Sequence, residues 1–156
     1  MAKKKSWVEK LLDSKDLPKV QRIDENMSKR WGTGTFVIPA PIEVDEFMRK
    51  VKKGNLTTIN EIRTILAKRH KATIACPITT GIFAWTAAHA AEEMLAMGKK
   101  RITPYWRTLK LGGEINPKYP GGADSIAELL KGEGHKVIRK GKKYIVEDFE
   151  KSLQKL

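Results

Sequence analysis

Ile102-Thr103-Pro104-Tyr105-Trp106-Arg107, followed by Gly112-Gly113 and then Tyr119-Pro120-Gly121-Gly122, is the stretch whose reading decides the fold of this chain. Residues 101–106 read as a short strand or loop that brings a proline, two adjacent aromatics and an arginine to one place. The glycine- and proline-rich run 112–122 reads as a wing. The aromatic pair has two readings: side chains that line a pocket and stack on a planar ligand, or anchors of a core beneath the wing. Arg107 fits a phosphate or a pocket carbonyl, and equally a nearby carboxylate.

Upstream of this stretch the pattern is helical. A helix near 79–97, capped by Thr79 or Thr80, carries Ile82, Phe83, Trp85, Met94 and Leu95, with alanines supplying propensity. Before it, the capping box Thr58-x-x-Glu61 opens a helix with Ile62, Ile65 and Leu66 inward and Arg63, Lys68 and Arg69 outward. The short break from His70 to Pro77 makes the pair a helix-turn-helix candidate, a motif that places the start of its second helix in a groove. Pro39 and Pro41 introduce a helix near 42–52 with Ile42, Phe47 and Val51 on one side and a basic end, stopped by Gly54. Ser6-x-x-Glu9 opens a short helix over 6–13. Residues 14–41 read as irregular, with a tight turn at Trp31-Gly32-Thr33-Gly34-Thr35 and no phosphate loop.

Downstream, Asp124 or Ser125 starts a helix with Ile126, Leu129 and Leu130 apolar. His135 to Val146 reads as a hairpin turning at Lys140-Gly141-Lys142. A last helix from about 147 is anchored by Phe149 and Leu153.

The 156 residues carry a net charge of +13, which attracts a polyanion and releases its counterions on binding. Nucleic acid is the first candidate partner, an anionic membrane surface the second, and a set of solvated lysines the bland alternative. Cys76 is the single cysteine, which excludes an intrachain disulfide and points to a reducing compartment. No apolar run approaches the length of a membrane span, and Met1 to Lys5 lacks the apolar region of a secretory signal, so a cytoplasmic location is expected. Cys76 precedes a helix start that can lower a thiol pKa, yet its apolar surroundings favour a buried, structural cysteine. His70, His89 and His135 belong to no metal-ligand spacing, so neither a metal nor another cofactor is expected.

Four pieces in order resemble the alkylguanine-DNA alkyltransferases over residues 42 to 134. They are Lys53-Gly54-Asn55-Leu56-Thr57-Thr58-Ile59-Asn60-Glu61-Ile62, the Pro104-to-Arg107 segment, the wing ending in Tyr119-Pro120-Gly121-Gly122, and Leu129-Leu130-Lys131-Gly132-Glu133-Gly134. The resemblance implies a winged helix-turn-helix over 42–134. The segments on either side have no counterpart in the family; the residues themselves add an N-terminal extension over 1–41 and a C-terminal β-hairpin plus helix over 135–156, for an α+β fold in all. The resemblance also implies binding of double-stranded DNA, with an alkylated base rotated out of the stack. Thr57, Thr58, Thr79 and Thr80 would touch the backbone, Lys110 and Lys118 would follow the phosphates, and Tyr105, Trp106 and Arg107 would form the base pocket.

The family's reactive segment is Pro-Cys-His-Arg, and here Tyr105 and Trp106 replace the cysteine and histidine. A phenol with a pKa near 10 is a poor substitute for a thiolate, and an indole cannot relay a proton. Ile59 replaces the tyrosine that helps rotate the nucleotide, and the arginine that fills the vacated stack has no match. The resemblance therefore implies lesion binding without methyl transfer at the usual position, with a repair protein as a further partner. Two alternatives stay open. One is an active alkyltransferase or other enzyme using Cys76; the other is a winged-helix module for undamaged DNA, RNA or a protein.

Overall fold

The computed structural model describes residues 5–156. The reading of the N-terminus as lacking a secretory signal therefore falls largely outside the described residues.

Helix α1 (Trp7–Leu12) begins where the capping box predicts, with the Ser6 side chain accepting from the Glu9 amide. The next segment departs from expectation. Residues 14–41 contain β1 (Lys19–Arg22), α2 (Glu25–Trp31) and β2 (Thr35–Ile38). β1 pairs antiparallel with β2, and β2 pairs parallel with β4 (Ile74–Ala75), giving a three-stranded sheet in the order β1-β2-β4. The expected turn at 31–35 is present as the α2–β2 connection. Gly34 has φ +121°, and a Cβ built there would meet Thr73 Oγ1 at 2.2 Å, so the close approach of the two segments requires glycine.

Helix α3 (Pro41–Arg49) has Pro41 in its first turn and buries Val44, Phe47 and Met48, while Ile42 is exposed. Strand β3 (Thr57–Thr58) leads directly into α4 (Ile59–Arg69), where Thr58 Oγ1 accepts from the Glu61 amide at 3.2 Å. Arg63 was expected outward; its Nε instead donates to the Ala75 carbonyl at 3.0 Å, tying α4 to β4. Helix α5 (Pro77–Ala96) starts earlier than Thr79. Cys76 is its N-cap and Pro77 its first residue, because proline fits the first helical position, where no amide partner is lost. Thr80 is inside the first turn and donates to the Cys76 carbonyl.

The Pro104 segment forms a 3-10 turn, Tyr105–Arg107, followed by β5 (Thr108–Leu109), which pairs parallel with β3. A tight turn, Leu111–Gly113, follows, with Gly112 and Gly113 at positive φ. Helix α6 (Gly122–Gly132) starts at Gly122, two residues before Asp124. Hairpin β6 (Val137–Lys140) and β7 (Lys143–Val146) form as predicted, and Ile115 donates to the Tyr144 carbonyl to dock the hairpin on the wing. The expected final helix is only a 3-10 turn, Phe149–Ser152, entered through Asp148 at φ +54°. Leu153 still anchors the tail, through a parallel bridge to Leu56.

One apolar core joins these elements. Leu11 of α1, Val44 and Met48 of α3, Ile62 and Leu66 of α4, the α5 alanines and Leu130 of α6 all belong to it. Ile23, Phe36 and Cys76 form a smaller cluster on the other side of the three-stranded sheet.

Candidate nucleic-acid interface

Helix α5 decides the geometry of the site because both of its sides are apolar. Ala84, Ala87, Ala88 and Ala91 form one stripe and are at most 1% exposed. Small side chains there let α3 and α4 approach closely. Ile78, Ile82, Trp85 and His89 repeat at helical spacing on the opposite side, which faces outward. Ile78 is 61% exposed and Ile82 is 48% exposed. Trp85 and His89 are half-buried because α1 crosses them. The Trp7 ring stacks on His89 at 4.4 Å and meets Trp85 edge-on at 4.7 Å.

Beyond α1, this outward stripe and the wing line an open cavity of about 730 Å³. Ile78, Gly81, Ile82, Trp85 and His89 form the α5 wall, and Lys110, Asn116 and Lys118 form the wing wall. The volume falls within the roughly 300–1,000 Å³ usual for ligand sites. Its chemistry is an apolar and aromatic floor under a cationic margin. Burial lowers the His89 pKa, opposed by a hydrogen bond with the Lys118 backbone and by Glu92, so the imidazole remains neutral at pH 7. The His89 ring is bonded to the Lys118 backbone and Asn116 Oδ1 accepts from the Lys118 amide at 3.0 Å, so both side chains hold the wing wall in place.

The motif that opens the sequence reading has a different environment. Tyr105 is 3% exposed and its hydroxyl donates to Glu92 Oε1 at 2.6 Å. Burial, reinforced by the neighbouring Glu92 carboxylate, pushes the phenol pKa well above its ordinary value. The phenol therefore stays protonated and cannot act as a nucleophile at neutral pH. Trp106 Nε1 donates to Glu133 Oε2 at 2.9 Å. Arg107 grips the same carboxylate with two donors, Nε to Oε1 at 2.9 Å and Nη2 to Oε2 at 2.8 Å, and its Nη1 donates to the Val51 carbonyl. Burial would lift the Glu133 carboxyl, but the hydrogen bonds from Arg107 and Trp106 outweigh it and hold its pKa below the usual range. Trp106 and Arg107 thus come together on one carboxylate, while Tyr105 turns into the core against Tyr119. The three do not share one open pocket.

The residues expected to meet a nucleic-acid backbone divide in the same way. Lys110 and Lys118 are exposed and line the cavity. Thr57, Thr58 and Thr80 are buried, at 0%, 6% and 0% exposure, so their side chains serve the fold and are not on a contact surface. Thr79 is half-buried, and its Oγ1 is one of the buried polar atoms without a hydrogen-bond partner among the described residues. Cys76 is 5% exposed beneath the sheet, which matches the structural reading of this thiol.

Two groups that matter were not singled out as site residues from the sequence. Glu133 had a signal, its place in Leu129-Leu130-Lys131-Gly132-Glu133-Gly134. Trp85 and His89 had the regular spacing from Ile78 and Ile82, but an equally apolar alanine stripe hid which side faces out.

No known family profile matches the sequence, and no curated protein matches it. Among solved structures the fold resembles that of an alkyltransferase-like protein. That protein is S. pombe Atl1, in a crystal structure with damaged DNA containing O6-carboxymethylguanine. The two share 15% sequence identity and align with a TM-score of 0.53 over 74% of this chain and 94% of that one. The likeness is one of fold, and it agrees with the α+β architecture read from the four sequence pieces.

Proposed function

We propose that this chain binds duplex DNA through the outward face of α5 and the wing, and that the cavity between them receives an alkylated base without removing its alkyl group. The observation that carries this reading is the cavity itself: exposed Ile78 and Ile82 and the Trp85 ring, bordered by Lys110 and Lys118. Proteins that open the DNA stack insert apolar side chains and receive extruded bases on aromatic ones. The Atl1 complex with DNA bearing O6-carboxymethylguanine supports the same reading through the shared fold. The sealed Tyr105 phenol and the indole held by Glu133 support binding without transfer at that position. In this reading Trp106 and Arg107 position the wing and α6, and a repair protein acts on the occupied complex.

Fluorescence anisotropy with matched duplexes, with and without one O6-alkylguanine, at several salt concentrations tests the proposal. Tighter binding to the lesion with a steep salt dependence is expected, and mass spectrometry after incubation shows unmodified protein. Equal affinity for both duplexes would remove the lesion preference, and transferred alkyl on Tyr105 or Cys76 would overturn the non-enzymatic reading.

A further inference from the structure

A second cavity, of about 510 Å³, lies at the end of α3 and shares no lining residue with the one between α5 and the wing. Its walls include Arg49, Lys100, Arg101, Ile102, Trp106 and Arg107. The site is built on anchored groups. Asp45, 2% exposed, accepts from Arg49 Nη2 at 3.0 Å and from Thr103 Oγ1 at 2.6 Å, which fixes α3 to the loop before Pro104. The Trp106 indole is held by Glu133 through Nε1, with the Tyr105 ring edge-on at 5.3 Å and the Arg107 guanidinium 5.4 Å from its centroid.

The charges do not cancel. Asp45 neutralises Arg49 and Glu133 neutralises Arg107. Lys100 and Arg101 have no carboxylate within ion-pair distance among the described residues, and residues 1–4 include no acid. A surplus of two positive charges therefore borders a cavity with a fixed indole in its wall. A phosphate monoester carries about −1.5 to −2 charges at pH 7, and an indole takes a planar base by stacking.

We propose that this cavity binds a 5′-phosphorylated nucleotide, with the base against Trp106 and the phosphate between Lys100 and Arg101. The two cavities share no lining residue, so the test of this one stands apart from the DNA-lesion reading, in which Trp106 and Arg107 only hold the wing and α6. The ligand chemistry has two sources, a free mononucleotide or the 5′-phosphate end of a nucleic acid.

Isothermal titration calorimetry of the full chain with guanosine 5′-monophosphate, guanosine and inorganic phosphate tests it. The monophosphate is expected to bind at least about tenfold more tightly than either fragment. Lys100→Glu with Arg101→Glu, both at exposed positions, is expected to abolish that binding while circular dichroism and binding to long duplex DNA at the α5 face persist. A short single-stranded oligonucleotide with and without its 5′-phosphate separates the sources. Preference for the phosphorylated oligonucleotide over the mononucleotide assigns a nucleic-acid end, and the reverse assigns a free nucleotide. No heat with the monophosphate, equal binding of guanosine, or an undiminished signal in the Lys100→Glu/Arg101→Glu variant overturns the proposal.

Discussion

The surroundings of Glu133 and the outward face of α5 lie in the same core-spanning fold but have opposite character. Around Glu133, three donors from Trp106 and Arg107 converge on one carboxylate, and the Arg107 and Glu133 side chains are 13% and 9% exposed. On α5, Ile78 and Ile82 stand in solvent beside an aromatic floor and two lysines. In the first region both oxygens of the carboxylate already accept from the protein's own donors; the second has large apolar side chains with nothing on them. The most distinctive stretch of sequence thus spends its polar groups on bracing the fold, and a less distinctive helix face carries the exposed apolar side chains.

The largest effect expected from breaking this contrast is at the brace. Glu133→Ala leaves the Arg107 guanidinium buried without its counter-charge, and such losses cost about 3–5 kcal/mol. Chemical denaturation should show a clear fall in midpoint. The pH dependence follows from the lowered Glu133 pKa. Its contribution is complete above the ordinary carboxylate value near 4.3 and is lost as pH falls through the lower folded value, so the wild-type chain should lose this stability below about pH 4 and a Glu133→Gln variant should not.

Next in size is the α5 face. Trp85→Leu should weaken binding to lesion-bearing duplex by about 1–3 kcal/mol, the usual worth of one base stack, with a smaller loss on undamaged duplex. Equal losses on both duplexes would mean that Trp85 supports α1 and no base. Lys110→Gln with Lys118→Gln should reduce the slope of log affinity against log salt by about 1.8, at ~0.9 for each phosphate contact. An unchanged slope would place the phosphate contacts elsewhere. The smallest effect concerns Tyr105. Tyr105→Phe removes only the hydrogen bond to Glu92, so stability should fall by about 1 kcal/mol while lesion affinity stays constant. A large affinity loss would return the phenol to the ligand site.

Much of the fold was legible where a cap or turn fixes the backbone. Ser6 with Glu9, Thr58 with Glu61, and the glycine at 141 mark α1, α4 and the β6–β7 turn, and each is present. The β1–α2–β2 unit was missed because α2 buries none of its residues and β1 is largely exposed, so neither carries an apolar period. The start of α5 was misplaced because two threonines resemble caps more than Cys76 does, although Pro77 was the better signal. For the candidate site, charge singled out Lys110 and Lys118, and both line the cavity beside α5. The separation of Tyr105 from Trp106 and Arg107 was not, because neighbours in a 3-10 turn point in different directions and only the positions of Glu92 and Glu133 decide where each goes.

The docking of α1 has a kinetic consequence. Its first amides, those of Trp7 and Val8, donate to the Glu93 carboxylate at 3.1 Å and 3.2 Å, so part of its N-terminal capping comes from a residue more than eighty positions away. A helix of six residues has no stability of its own, since isolated helices shorter than about 12–15 residues are marginal in water. Hydrogen exchange should therefore report α1 as an early-opening unit, with α5 holding its protons much longer. Each such opening uncovers Trp85 and His89, so the aromatic floor of the cavity widens and narrows on the time scale at which this one short helix detaches and returns.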